Sequence, residues 1–104
     1  MLIEIGHGVT PSGGLDPGAI GINPMNEYEL NKIAAIASQR LIRQAGVPCD
    51  LTDAVASLRS LGERAVGYDV FCSVHNNSAS APAQGAEVLV CKSTSDPEVC
   101  SFQQ

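Results

Sequence analysis

The chain has no tryptophan and only two tyrosines and two phenylalanines, so its core must be aliphatic and alanine-rich. Charge is also sparse, at 16% of residues, and leans acidic, with a formal net charge of -5. No Lys/Arg cluster is present to contact phosphates, which argues against nucleic acid as a partner. No apolar run is long enough to span a membrane. No signal peptide is legible either, since Met1 leads directly into the first apolar segment. The four cysteines, Cys49, Cys72, Cys91 and Cys100, form no C-x-x-C pair, which excludes a zinc knuckle. Cys49 and Cys72 lie in strand-like runs and read as small core residues. Cys91 and Cys100 flank a polar segment that a disulfide would close into a small loop. Only two histidines occur in 104 residues, His7 and His75.

What is present fits one globular domain: 44% hydrophobic residues in a chain of single-domain length. The organising stretch runs from Leu2 to Gly21. Leu2-Ile3-Glu4-Ile5 reads as a short buried strand, and it delivers His7 between Gly6 and Gly8. Glycine on both sides leaves room and permits backbone conformations closed to other residues. Val9 to Gly21 carries four glycines and two prolines, a loop of short side chains suited to a pocket floor.

Asn26 and Glu29 then have the spacing of a capping box, which predicts a helix to about Ala45. Leu30, Ile33, Ala34, Ala37 and Leu41 keep the rhythm of one buried helix face. Gly46 and Pro48 supply its stop. Val47 to Thr52 reads as a second strand. Ser57 would cap a second helix with Leu58, Leu61 and Ala65 on one side, ended by Gly67. Asp69 to Val74 is a third strand and Ala86 to Cys91 a fourth. This alternation implies an α/β fold: a twisted, mostly parallel sheet with helices packed on it.

In such a sheet His7 and His75 both follow strands at the carboxyl edge, where open α/β sheets place ligands. Glu27 starts the intervening helix and can reach the same edge, where the helix dipole favours a carboxylate. Two histidines and a glutamate are the protein ligands of a catalytic zinc site, which keeps a fourth position open for water. Asn76 and Asn77 are placed to orient the ligands. Taken singly, each histidine reads as a hydrogen-bonded structural residue, Glu27 as a helix-start charge and Asp16 as a turn residue. Glu87 reads equally as a solvent-face residue or a site wall.

The run Ile3-x-Ile5-Gly6-His7-Gly8, followed by Asp16-Pro-Gly-Ala-Ile-Gly21, resembles the opening of zinc-dependent N-acetylmuramoyl-L-alanine amidases of the third amidase class. The resemblance continues through Glu27-x-x-x-Asn31, Thr52, Leu61-x-x-Arg64-Ala65, Asp69-x-Phe71-x-Ser73-Val74-His75-x-Asn77 and Gly85-x-Glu87. It covers the chain to about Val90 and implies the phosphorylase/hydrolase-like amidase fold, with zinc on His7, Glu27 and His75. Two departures stand out. Asp53 follows Thr52 where the family usually has Arg. The family's catalytic glutamate lies further along, so the expectation is a single, partial catalytic domain over residues 1–104, incomplete at its C-terminus, with that glutamate beyond Gln104. Glu98 lacks the surrounding apolar strand, and Glu87 is a weak candidate for the base.

The resemblance implies a peptidoglycan hydrolase that cuts the amide between N-acetylmuramic acid and L-alanine. It would act at the bacterial cell wall, in the periplasm, outside the cell or delivered by a phage, as an autolysin or endolysin does. The rival is a non-catalytic zinc- or peptidoglycan-binding module that kept the ligands and lost the base. Self-association, or a complementary segment, would complete the sheet. A nucleotide-binding domain is disfavoured, since neither G-x-G-x-x-G nor a Walker lysine is present.

Overall fold

The computed structural model describes residues 1–10, 12–21, 24–53 and 58–76. The expected fourth strand, Asn77, Glu87, the Cys91–Cys100 pair and the Ser57 cap lie outside these residues. The order is β1 (Leu2–Ile5), β2 (Gly8–Val9), β3 (Leu15–Asp16), α1 (Glu27–Gln44), β4 (Asp50–Asp53), α2 (Leu58–Ala65) and β5 (Phe71–Val74). β1 lies at the centre of a parallel sheet ordered β4-β1-β5. The register pairs Ile5 with Asp53 on one side and with Val74 on the other, so all three strands end at one edge. The alternation of helix and strand, read as α/β, thus appears as a small parallel sheet with helices. β2 and β3 form a separate antiparallel pair at the start of the stretch expected to be a pocket-floor loop.

α1 is capped as its sequence predicts. Asn26 accepts from the Glu29 N–H, and Glu29 reaches back to the Asn26 N–H, both at 2.9 Å. Its far end closes with the Val47 N–H on the Ile42 carbonyl and the Gly46 N–H on that of Arg43. Gly46 takes the left-handed turn (φ +85°) that this stop requires.

The core joins Ile3 and Ile5 of β1 to Ala35 of α1 and Cys49, with Tyr28, Ile42 and Leu51 packed around them. Here three expectations are corrected. The buried stripe of α1 is Glu27, Asn31 and Ala35, while Leu30, Ile33 and Leu41 stand exposed. The sheet-facing positions are set by where the strand ends need hydrogen-bond partners, and Asn31 and Glu27 supply them. Cys72, on β5, is exposed, whereas Cys49 is buried as expected. The second strand starts at Asp50 rather than Val47, because Val47 belongs to the helix stop and Pro48 offers no N–H.

Candidate metal centre

Three elements converge at the carboxyl edge of the sheet. β1 ends in Gly6 and His7, α1 begins at Glu27, and β5 ends before His75 and Asn76. His7 Nε2 lies 3.2 Å from Glu27 Oε2, and His75 Nδ1 lies 3.2 Å from Glu27 Oε1. The two imidazoles meet edge to face, with centroids 5.0 Å apart. One ligand atom from each of the three residues falls within 4.8 Å of the others.

His7 itself carries the sharp turn, with φ +65°. A non-glycine residue in this region costs of order 1–3 kcal/mol and persists where its surroundings hold it. Here they do. A Cβ at Gly6 would lie 2.5 Å from His75 Cε1, so only glycine lets the two histidines approach. A Cβ at Gly18 would lie 2.6 Å from His7 Cδ2 and 2.7 Å from Glu27 Oε2. Gly18 also sits at φ +66°.

The loop before α1 is tied across the helix start. The first helical N–H groups, which have no partner within a helix, donate to it: Glu27 to the Ala19 carbonyl at 2.9 Å and Tyr28 to that of Pro17 at 3.1 Å. In return the Ala19 N–H donates to Glu27 Oε2 at 2.9 Å, and the Asn76 N–H to Oε1 at 3.1 Å. Glu27 is 7% exposed. Burial pushes its carboxyl up, but the Ala19 and Asn76 N–H groups, His75 and His7 together outweigh burial and hold it below the ordinary glutamate value.

Asn31, fully buried, locks the ends of the strands to α1. Its Nδ2 donates to the Gly6 carbonyl at 3.0 Å, and its Oδ1 accepts from Asn76 Nδ2 at 2.7 Å. Asn76 thus contacts Glu27 through its backbone and Asn31 through its side chain. Asp16 was read as a turn residue. It is one, since its Oδ1 accepts from the Gly18 N–H at 3.0 Å, but its Oδ2 also lies 2.9 Å from His7 Nδ1. That bond raises the pKa of His7 above its ordinary value, against burial and with help from Glu27. Asp53, in the place of the expected arginine, accepts from the Tyr28 hydroxyl at 3.1 Å, and its carbonyl lies 3.4 Å from Arg64.

The donor set fits a metal. Nitrogen and oxygen ligands bound to zinc at about 2.0–2.1 Å with tetrahedral angles stand about 3.3 Å apart. The two histidine–glutamate separations, 3.2 Å each, are close to that spacing but run to different oxygens of Glu27, and the three-residue set as a whole lies within 4.8 Å. The family model described as N-acetylmuramoyl-L-alanine amidase matches residues 1–101. The chain belongs to this amidase family. The comparisons with curated proteins and with solved structures return no match. The family's activity is hydrolysis of peptidoglycan amides at the cell wall. Among the described residues, no helix of this amidase is long and apolar enough to cross a membrane.

Proposed function

We propose that residues 1–104 belong to one catalytic domain of a zinc-dependent amidase that cleaves the bond between the lactyl group of N-acetylmuramic acid and L-alanine. The observation that carries this reading is the convergence of His7, Glu27 and His75 at the carboxyl edge of the sheet, in a chain of the amidase family. His7, Glu27 and His75 would hold the zinc. Zinc supplies a Lewis acid for the amide carbonyl and makes water acidic enough to attack near neutral pH.

The chain's own groups prepare that chemistry. The Ala19 and Asn76 N–H groups keep Glu27 ionised and fixed, and Asn31 holds the two strand ends in register with it. Hydrolysis breaks the C–N bond, adds water oxygen to the carbonyl carbon and delivers a proton to the departing nitrogen, which calls for a general base that becomes an acid. Among the described residues, only Asp16 and Glu27 are carboxylates bonded to a site histidine, and both are occupied there. The family resemblance implies that the base is a glutamate outside the described residues, past Gln104, with Glu87 as a weak candidate.

The test incubates zinc-loaded chain with purified peptidoglycan and follows new N-terminal alanine, beside a longer chain that carries the downstream strand. Release by the longer chain, lost in His7→Ala/His75→Ala, supports the amidase. Zinc uptake with no release by either chain would instead establish a non-catalytic binding module.

A further inference from the structure

We infer that Asp16 is a positioning residue for His7: it holds the proton on Nδ1 and so leaves Nε2, beside Glu27, as the nitrogen offered to the metal. This rests on the zinc reading above and adds to it a residue outside the ligand set. The argument is geometric. Both oxygens of Asp16 are fixed, Oδ1 by the Gly18 N–H at 3.0 Å and Oδ2 against His7 Nδ1 at 2.9 Å. A carboxylate only accepts, so the nitrogen facing it must carry the hydrogen. Nε2 faces a carboxylate as well, Glu27 Oε2 at 3.2 Å, but the Asp16 contact is the shorter; a metal placed beside Glu27 would replace the hydrogen on Nε2, while Asp16 keeps the one on Nδ1.

The fold specifies this contact rather than merely allowing it. β3 places Asp16 opposite Gly8, one residue from His7, by antiparallel pairing. The next residues, Pro17 and Ala19, are pinned to the start of α1 by the Tyr28 and Glu27 N–H groups. Gly18 leaves the space that the His7 ring occupies. One loop therefore fixes the ring from its Nδ1 side and the Glu27 carboxylate through Ala19. The left-handed backbone of His7 aims the ring into this cradle. Partners of this kind, on the outer nitrogen of a metal-bound histidine, typically carry 10–100-fold of metal affinity.

The experiment measures zinc affinity by competition with a chromophoric chelator for the full chain, Asp16→Ala, Asp16→Asn and Thr10→Ala. Thr10 Oγ1 bonds Ser12 and the Gly14 carbonyl within the same loop rather than His7. Separately, long-range nitrogen–proton spectra of the metal-free chain, followed upward in pH until the ring is neutral, read which nitrogen of His7 bears the proton. The expected result is Nδ1–H in the wild type, a mixed or Nε2–H population in Asp16→Ala, and zinc binding about 10–100-fold weaker in that variant. Asp16→Asn should fall between, and Thr10→Ala should match the wild type. Nε2–H in the wild type, or an equal loss of affinity in Thr10→Ala and Asp16→Ala, would overturn the proposal. If the wild type took up no zinc, the zinc reading would fail by itself, and the His7 spectra would still decide the part played by Asp16.

Discussion

Along the sheet-facing stripe of α1, Glu27, Asn31 and Ala35 are buried, whereas Leu30, Ile33 and Leu41 stand exposed, Leu41 at 66%. Hydropathy alone would reverse the two sides. Burying a polar group is costly only when it lacks partners. Glu27 has two N–H donors and two imidazoles, and Asn31 has a carbonyl and an amide. One side of the helix is thus built for chemistry and the other is left as apolar surface.

The largest effect should come from breaking the chemical side outright. His7→Ala/His75→Ala removes two of three ligands, and metal analysis after dialysis against a weak chelator should find no zinc, against one per wild-type chain. Full occupancy in the double variant would end the metal reading. Next is Gly18→Ala. A left-handed alanine costs roughly 1–2 kcal/mol, and its Cβ would also press on His7 and Glu27. Both the melting temperature and zinc affinity should fall. A stable variant with native affinity would show that the loop moves aside freely.

Asn31→Ala should cost about 1–2 kcal/mol, since it strips the Gly6 carbonyl and the Asn76 amide of a buried partner. Chemical denaturation measures it. The contrast sharpens with Leu41→Ser on the other side, which should shift stability by no more than about 0.5 kcal/mol. If Leu41→Ser cost more than Asn31→Ala, the assignment of the two sides would be wrong.

How far the sequence showed all this differs by element. β1, the capping box and the glycine stop of α1 were legible because each depends on neighbours within a few residues. The convergence of His7, Glu27 and His75 was legible because parallel strands share a carboxyl edge. The buried stripe of α1 was not, since helical periodicity ranks side chains by hydropathy and cannot see that strand ends will satisfy Asn31. Asp16 showed only its local half. Asp-Pro-Gly reads as a turn, and the bond to His7, nine residues back, exists only once β2 pairs with β3.

The smallest effect is a pH dependence of the metal-free chain, and it separates the Asp16–His7 contact from the rest of the site. His7 titrates above its ordinary 6.5, with the Asp16 hydrogen bond as the largest cause. A raised pKa stabilises fully below the unfolded value, and that contribution is lost as pH climbs through the folded value. Asp16 titrates below its ordinary 3.8, chiefly through the same bond. Its contribution is present above that value and is lost as pH falls through the folded one. Both are intact only between the two ordinary values. With a chelator present, the difference in melting temperature between wild type and Asp16→Asn should therefore be widest near about pH 5–6 and should narrow toward both acid and alkaline pH. Glu27 is present in both chains, so its own titration largely drops out of the difference. Because Asp16 is half exposed (52%), the shift should be small and should shrink in added salt. A difference that stays flat with pH would mean that no charged contact between Asp16 and His7 contributes to stability, and that Asp16 acts there only through its turn with Gly18.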